Sequence, residues 1–447
     1  MINKDLLSKF SHFYSDIKKS FNKIYKNSNF YDKKISKVFE NDFQYKPSPF
    51  LLSSIINYQK KKYKVEDFSI ESIWKRDVDI KDFKKLNNFF WFFSLDLKSS
   101  KKTTQSILSN WIDNNNKYDK KSWEINLTSK RIISWLSNHQ LTYEDSEKEY
   151  RQKFNFIIQK QTNHLINEIK NSNEVENKII SCAAIILSGL AYQNDKNYLN
   201  IGLNLLKNII KSSIDNYGFP KSRNIKQLIL YLKYFIIIRE WFKESQNDIP
   251  EYIDETIYYL GLSYAFIWQN INQDILFNGN YRTNNKEFDQ YLKRFGYKFK
   301  NDNKELAGYA VLKNKKIILV MDVGSSPIKN FSKNYQSGAL SFEIISNNKK
   351  LISNSGYFPN KYNKLNKLSK SSALQSTLII EDYSSCNFKK KGKHDFIVVN
   401  QLGVSMNPTT NIMYLWGTQD TLKNKETTDT TFVNHVLVNF IFSKSQF

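Results

Sequence analysis

The chain has 447 residues, 40% of them hydrophobic and 15% aromatic, which allows two or three domains with large cores and excludes a wholly disordered protein. Its 67 Lys and Arg against 43 Asp and Glu give a formal net charge of +24. This excess favours a polyanionic partner, unless it reflects codon bias, since Lys, Asn and Ile all have AT-rich codons. The lysines are scattered along the sequence rather than clustered, which argues against a nucleic-acid partner.

Export, membrane and disulfide signals are weak. The first 21 residues contain no apolar run of signal-peptide length. The most apolar stretch, residues 179–192, is shorter than the ~20 residues that span a bilayer, so no integral membrane segment is predicted. Two cysteines, Cys182 and Cys386, do not make a disulfide framework. These features alone predict a soluble, cytoplasmic protein.

The helical signal lies in the first two thirds of the chain. Residues 1–85 predict an N-terminal extension of short helical and extended segments, broken at the Pro-Ser-Pro of residues 47–49. Over residues 86–295 apolar residues recur at three- and four-residue steps, which predicts successive amphipathic helices joined as antiparallel neighbours. Residues 179–192 are apolar nearly all round and rich in small residues, which predicts a buried helix.

The pattern changes to short strands over residues 300–447, which predicts an antiparallel β-sandwich. Residues 307–312 and 316–322 form one predicted hairpin. Residues 338–346 and 351–354 form a second, around the turn pair Asn347-Asn348, and residues 376–381 read as a further strand. We expect the tail after about residue 389 to be divergent, truncated or shifted in frame, although residues 395–400 still predict a strand.

Several motifs appear in a defined order. They are WFFSLDL (91–97), Trp123 with Arg131 and Trp135, DNYGFPKSRN (215–224), ILFNG (275–279), MDVGSSP (321–327), YQSGALSFE (335–343), N-x-G (354–356) and SSALQSTL (371–378). This ordered set resembles the heparinase II/III-like family, bacterial relatives of polysaccharide lyases, over roughly residues 86–385. The resemblance implies an α+β multidomain protein, with an incomplete α/α toroid over residues 86–295 and a β-sandwich over residues 300–447.

The resemblance also implies a chemistry. Lyases of this family cleave uronate-containing polysaccharides by β-elimination, in which a base removes the proton at C5 and the bond at C4 breaks. A Tyr or His must move the proton, and Asn, Gln, Arg or His must neutralise the uronate carboxylate. A basic cleft with aromatic platforms holds the chain. We therefore expect an acidic polysaccharide as the partner.

The best catalytic candidates lie in the loop of residues 215–224. Tyr217 is a candidate proton shuttle, and Lys221 and Arg223 are candidates to face a carboxylate. Alternatively this is a turn in which Tyr217 packs and the cations are solvated. Asn177 lies roughly where such lyases place a carboxylate-binding Asn, often followed by His. Here Lys178 follows, and an ordinary loop Asn is the favoured alternative.

In the β domain, Gln336 and Gln375 stand where many relatives have His. Amides, including Asn354 nearby, are poor transition-metal ligands, so no metal and no cofactor is expected. Gln cannot transfer a proton, but it can hydrogen-bond a carboxylate, which makes Gln336 and Gln375 candidate substrate-binding residues. A second hypothesis is therefore a catalytically weakened glycan-binding protein of the same fold, used in envelope polysaccharide handling.

Three further interpretations complete the sequence-based picture. Asp322, before the turn Gly-Ser-Ser-Pro, is interpreted as a turn residue, and His164 as a solvated residue on the polar side of its helix. The family resemblance implies the periplasm or cell envelope, in conflict with the missing export signal. The sequence specifies no oligomeric state.

Overall fold

The structure is a computed structural model, and it divides into two compact units. Unit 1 comprises Met1–Ile209 and Ile236–Pro250, and unit 2 comprises Ile210–Phe235 and Glu251–Phe447. The domain boundaries near residues 85 and 300 stay predictions. The residues that the structure describes are 17, 20–39, 43–56, 64, 79–192, 196–269, 271–281, 286–359, 364–377, 385–391, 395–401, 403–407, 412–416 and 436–439.

Unit 1 is built from helices. They are α1 (Asn29–Ile35), α2 (Pro49–Ile56), α3 (Ile80–Asn87), α4 (Lys101–Asn115), α5 (Ile125–Ser137), α6 (His139–Thr142), α7 (Lys148–Glu168), α8 (Val175–Ala191), most of α9 (Lys196–Ser213) and the second half of α10 (Ile225–Glu244). Three of them begin after a residue whose side chain caps a backbone N–H of the first turn. The capping residues are Ser28, Asp79 and Ser100.

The core of unit 1 lies where α5, α7 and α8 pack together. Residues 179–191 of α8 are all buried, which confirms the predicted buried helix. A Cβ added to Gly189 would lie 2.4 Å from the backbone nitrogen of Leu199, so this close approach to α9 requires glycine.

The motif of Trp123, Arg131 and Trp135 holds this core together. Arg131 is fully buried on α5, and its guanidinium donates to Gln161, to Thr128 and to the carbonyl oxygens of Asn87 and Ser122. Burial lowers the pKa of Arg131. These neutral acceptors pair four of the five buried N–H groups of the guanidinium, so Arg131 has a structural role.

The prediction that His164 is solvated is wrong. The ring is 2% exposed, and its Nε2 lies 3.0 Å from the carbonyl oxygen of Trp123. Because a carbonyl only accepts, Nε2 carries the hydrogen and Nδ1 accepts from the Tyr31 hydroxyl at 2.7 Å. Burial lowers the pKa of His164 to about 3, so the ring is neutral and structural.

Unit 2 combines helices with a five-stranded antiparallel sheet. Its helical elements are the end of α9, the first half of α10, α11 (Glu251–Tyr264) with a π-helical turn at Ala265–Gln269, α12 (Lys286–Arg294) and α13 (Lys364–Leu368). The sheet has the order β1-β2-β3-β4-β5. Its strands are β1 (Glu305–Leu306), β2 (Tyr309–Lys313), β3 (Ile317–Asp322), β4 (Phe342–Ser346) and β5 (Lys349–Ile352).

Both predicted hairpins are confirmed, as β2/β3 and β4/β5. Asn347 and Asn348 join the second pair with positive φ angles of 48° and 62°, the backbone that a tight hairpin turn needs. The predicted strand at residues 376–381 falls mostly outside the described residues. Further antiparallel strands follow. The strand β6 (Cys386–Lys391) pairs with β7 (Asp395–Gln401). The strand β9 (Ile412–Trp416) pairs with β8 (Gly403–Asn407) on one side and with β10 (Val436–Asn439) on the other.

The element order therefore confirms the predicted fold class, helices followed by antiparallel sheets. Within the described ranges, no helix combines the length and the apolar character needed to cross a membrane.

Candidate functional site

The loop of residues 215–224 joins α9 to α10 and has a fixed backbone. One carboxylate oxygen of Asp215 accepts the backbone N–H groups of Tyr217 at 2.9 Å and Phe219 at 2.8 Å. The backbone N–H of Asp215 donates to the carbonyl oxygen of Phe219 at 2.8 Å. Burial raises the pKa of Asp215, against the opposing effect of these hydrogen bonds. The Asp215 carboxylate thus stabilises the turn through hydrogen bonds within the loop.

The loop is docked on α11 through Gly218 and Tyr217. Gly218 has a φ of +74°, and a Cβ added to it would lie 2.3 Å from the carbonyl carbon of Tyr259. The Ser263 hydroxyl donates to the carbonyl oxygen of Tyr217 at 2.8 Å. Only glycine fits this backbone conformation and this distance, so the contact between the loop and α11 requires glycine at position 218.

Tyr217 and Lys221 are the predicted site residues that reach solvent on this loop. The Tyr217 side chain is 60% exposed, so it does not pack as the turn alternative required. Lys221 is half-buried, and its ammonium donates to the carbonyl oxygen of Lys211 at 3.0 Å. A phenol and an ammonium therefore both reach solvent from one loop, whose backbone is held in place.

Arg223 anchors the other end of the loop. Its guanidinium forms an ion pair with Asp322, which is fully buried, at 2.7 Å. The remaining N–H groups donate at 2.7 to 3.4 Å to four backbone carbonyl oxygens. The acceptors are Ala307, Gly308, Gly324 and Ser325. All five donors thus have acceptors within the protein, and a substrate carboxylate would have to displace one of them.

The electrostatics of this anchor follow from burial and charge. Burial alone would lower the pKa of Arg223, but the charge of Asp322 outweighs it and raises the pKa. The guanidinium also lies 4.7 Å above the ring of Tyr309. A Cβ on Gly324 would lie 2.7 Å from the guanidinium carbon, so the glycine of MDVGSSP makes room for Arg223.

Asn278 and Gly279 extend the network. The Asn278 amide donates to the second oxygen of Asp322 at 2.8 Å and to the Tyr309 hydroxyl at 2.7 Å. That hydroxyl donates to the carbonyl oxygen of Arg223 at 2.7 Å. The backbone N–H of Gly279 donates to Gln336. Residues that lie 31 to 99 positions apart in the sequence thus meet in one hydrogen-bonded group.

Gln336 and Gln375 meet at one backbone oxygen. Gln336 is 1% exposed, accepts from Gly279 at 3.1 Å and donates to the carbonyl oxygen of Ser369 at 2.7 Å. Gln375, which is half-buried, donates to the same oxygen at 3.2 Å. Both ends of the Gln336 amide are therefore used inside the protein. Asn354 is also buried, and its amide oxygen accepts a hydrogen bond from the backbone N–H of Ser376 at 2.9 Å.

Asn177 belongs to unit 1 and not to this group. Its carbonyl oxygen accepts from the Asn126 amide at 2.7 Å, and its own amide donates to Glu174 at 3.2 Å. It lies inside α8 rather than in a loop. The structure therefore brings together Tyr217, Lys221 and Arg223 on one loop, and Gln336 with Gln375, through the network around Asp322.

Sequence reasoning missed three members of the network: Asp322, Asn278 and Tyr309. The interpretation of Asp322 as only a turn residue is corrected, because its carboxylate is the buried partner of Arg223. The available signal was that Asp322 and Asn278 each lie in one of the ordered motifs. Over the part of the chain that is described, no group of three or more His, Cys, Asp or Glu could hold a metal ion.

Known structures with a similar fold include heparinases. A crystal structure of heparinase III covers 80% of this chain with a TM-score of 0.55 and 17% identity, and this chain spans 63% of its length. A second heparinase III covers 78% of this chain and 64% of its own, with a TM-score of 0.55 and 15% identity. A mutant heparan sulfate lyase from Pedobacter heparinus covers 86% of this chain and 68% of its own, with a TM-score of 0.52 and 12% identity.

The sequence comparisons agree with the fold. No curated protein matched the sequence. Residues 303–421 match the family described as Heparinase II/III-like, C-terminal, which includes β1 to β5 with Asp322, Gln336 and Gln375. Residues 303–421 are therefore similar to the C-terminal domain of the heparinase II/III-like family, and the chain has a fold similar to that of heparinase III.

Proposed function

We propose that the protein is a polysaccharide lyase that cleaves an acidic, uronate-containing polysaccharide by β-elimination in the periplasm or cell envelope. The observation that carries the proposal is the exposed Tyr217 on the same loop as Lys221, a loop that the buried pair of Arg223 and Asp322 holds in place. The heparinase III fold supports the substrate class.

In this proposal Tyr217 moves the proton. As a phenolate it accepts the proton from C5 of the uronate; the electrons of that bond form the C4–C5 double bond, and the C4–O4 bond breaks. The phenol then returns the proton to O4 of the leaving sugar. The Lys221 ammonium stabilises the negative charge that develops on the uronate carboxylate.

The remaining predicted residues take supporting roles. Arg223 and Gln336 position the loop and the strands beneath it, since their polar atoms already have protein partners. Gln375, which is half-buried, stays a candidate for a hydrogen bond to the substrate. Asn177 stays a sequence-based candidate for a uronate carboxylate.

A second candidate function is a glycan-binding protein of the same fold without turnover. It is favoured by the amides of Gln336 and Gln375, which converge on the carbonyl oxygen of Ser369 and cannot transfer a proton. The two functions share the acidic polysaccharide and differ in whether a bond is broken.

The test is the ultraviolet absorbance of 4,5-unsaturated uronates, followed with purified protein and a panel of acidic glycans that includes heparan sulfate. We expect a rising signal that Tyr217→Phe abolishes, because the variant retains the ring and lacks the ionisable hydroxyl. Tyr25→Phe, the same change in unit 1, should retain the activity of the unmodified protein.

Two outcomes would contradict the lyase proposal. A flat signal across the panel, together with measurable binding of one glycan, would favour the binding protein. An active Tyr217→Phe variant would establish turnover and remove Tyr217 from the proton transfer.

A further inference from the structure

The N-terminal segment of residues 17–39 exposes large apolar side chains that have no role in the mechanism above. Phe21 and Ile24 are each 69% exposed, Phe30 is 70% exposed and Phe39 is 56% exposed. Single exposed apolar residues are ordinary on protein surfaces. Four of them in one short segment call for an explanation, because apolar area left in water forgoes the stabilisation that burial gives.

The end of this segment is fixed on α7. The Gln159 amide accepts from the backbone N–H of Phe39 and donates to its carbonyl oxygen, each at 2.9 Å. Asn163, one helical turn further along α7, donates to the carbonyl oxygens of Ile35 at 2.9 Å and Lys37 at 2.8 Å. The backbone of residues 35–39 is therefore held against unit 1, while the Phe39 ring stays in solvent.

The helix α1 has one side in the core and another side in solvent. Tyr31 and Ile35, four positions apart, are buried. Phe30, Lys33 and Lys34 have the i, i+3, i+4 spacing of neighbours on a helix surface, and all three are exposed. Burial of Tyr31 and Ile35 thus leaves α1 with an aromatic side chain and two ammonium groups on its outer face.

The short helix of residues 20–26 continues this arrangement. Phe21 and Ile24 lie three positions apart on it, hence on the same face, and both are exposed. The ring of Tyr25 lies 6.1 Å from the ring of Phe30, between centroids, so this helix is in contact with α1. The exposed apolar side chains therefore come from elements that pack on one another.

Charge decides what the segment attracts. Residues 17–39 contain seven lysines and one acidic residue, Asp32. The Asp32 carboxylate pairs with Lys160 of α7 at 2.8 Å, and Lys26 pairs with Glu168 of α7. A second copy of the chain would bring lysines against lysines, which disfavours self-association through this segment. An anionic partner is favoured instead.

Apolar side chains interspersed with lysines are typical of proteins that bind anionic membranes at their surface. Phe and Ile side chains enter the boundary between headgroups and acyl chains, and lysine side chains extend to the lipid phosphates. A lipid surface accepts side chains that protrude from separate turns of chain, whereas a protein groove needs its anchors along one helix face. The distribution over two helices and an extended stretch therefore favours lipid.

We propose that the N-terminal segment docks the protein on an anionic phospholipid membrane, with the four exposed apolar side chains and the lysines of α1 as the contacts. Binding is peripheral, because only side chains enter the headgroup region. The inference does not rest on the proposed function, since the segment belongs to unit 1 and the loop of Tyr217 belongs to unit 2.

The experiment measures co-sedimentation of the full chain with lipid vesicles. One kind of vesicle contains phosphatidylglycerol and phosphatidylcholine in equal parts, and the other contains phosphatidylcholine alone. The first variant is Phe30→Ser with Phe39→Ser, which removes two exposed rings. Its matched control is Ile328→Ser with Leu351→Ser, because these side chains are 66% and 67% exposed in unit 2.

A second pair of variants tests the charge. Lys33→Gln with Lys34→Gln removes two positive charges from α1. Lys315→Gln with Lys316→Gln removes two from the turn between β2 and β3, where both lysines are also exposed. The phenylalanine rings lie in solvent, so the serine variant should fold as the unmodified protein does, and the lysine variants give an answer even if it does not.

We expect the unmodified protein to bind the anionic vesicles more than about tenfold more tightly than the neutral ones at physiological ionic strength. The variant without the two rings should bind them roughly tenfold or more weakly, since burial of one large apolar side chain contributes about tenfold. The variant of α1 without the two lysines should bind roughly twentyfold more weakly, because each lysine near an anionic leaflet contributes about fivefold. Both control variants should stay within about twofold of the unmodified protein.

Three results would overturn the membrane surface and leave the proposed function standing. The first is failure of the unmodified protein to bind anionic vesicles. The second is an equal loss in a test variant and its control, which would place binding outside the N-terminal segment. The third is a dimer in sedimentation equilibrium that Phe30→Ser with Phe39→Ser abolishes, in a protein that ignores vesicles, since a second copy would then be the occupant.

Discussion

At the scale of single residues, the ion pair of Arg223 and Asp322 is the interaction on which the site depends most. Asp322→Asn keeps the shape of the side chain and removes its charge, so the guanidinium stays buried without a counter-charge. Breaking a buried pair in this way costs about 3–5 kcal/mol. We expect the variant to unfold at a clearly lower urea concentration than the unmodified protein, followed by circular dichroism.

Asp302→Asn is the matched control for that change. Asp302 pairs with Lys300 at 2.8 Å, but both side chains are more than 70% exposed, whereas the Asp322 side chain is fully buried. Solvent screens an exposed pair, so this variant should have an unchanged unfolding midpoint. Equal midpoints for Asp322→Asn and Asp302→Asn would show that the buried pair does not hold the loop.

At the scale of elements, the loop of residues 215–224 acts as a unit because Gly218 allows it to touch α11. Gly218→Ala combines a φ of +74° with a Cβ 2.3 Å from the Tyr259 carbonyl carbon, so the loop must move. We expect this variant to lose stability by more than the roughly 1 kcal/mol of backbone strain alone, and to bind acidic glycans more weakly.

Gly296→Ala separates strain from contact. Gly296 has a similar φ of +77°, but an added Cβ would have nothing within 4 Å. This control therefore carries the backbone strain alone. Unfolding midpoints and glycan affinity of the two variants, measured side by side, give the effect of the contact; if both variants behave alike, the loop does not depend on its contact with α11.

Helices and hairpins could be predicted because their signals are local. The apolar spacing of α7 and the Asn347-Asn348 turn each lie within one stretch of chain. The partners of the site residues could not be predicted in this way. Asp322 lies 99 residues after Arg223, and Ser369 lies 33 residues after Gln336.

Prediction from the local sequence also fails where the same residue pattern occurs both in solvent-exposed and in buried environments. An Asp before Gly-Ser-Ser-Pro suits an ordinary turn and a buried ion pair equally well, so the local sequence predicts only the turn. His164 lies among polar residues of α7, yet it meets Tyr31, which lies 133 residues earlier. Burial of a polar residue depends on what covers it, and the covering residue is distant in sequence.

At the scale of the whole molecule, the net charge of +24 has two explanations that experiment can separate. If the charge acts only as a diffuse field, removal of any one exposed lysine should weaken binding of an acidic glycan equally. If binding is local, the lysine on the site loop should matter more, since screening limits the reach of one charge to about 8 Å at physiological ionic strength.

Lys221→Gln and Lys349→Gln make that comparison. Each variant removes one positive charge, but Lys221 lies on the same loop as Tyr217, whereas Lys349 lies exposed on β5. We expect Lys221→Gln to weaken binding of heparan sulfate roughly tenfold at 0.15 M salt, the equivalent of about 1.4 kcal/mol for one charge-assisted contact, and Lys349→Gln to change it by less than about twofold. Both differences should shrink at 1 M salt, where the screening length falls to about 3 Å. Equal losses in the two variants at 0.15 M would mean that the basic composition attracts polyanions as a diffuse field, without a binding site at the loop.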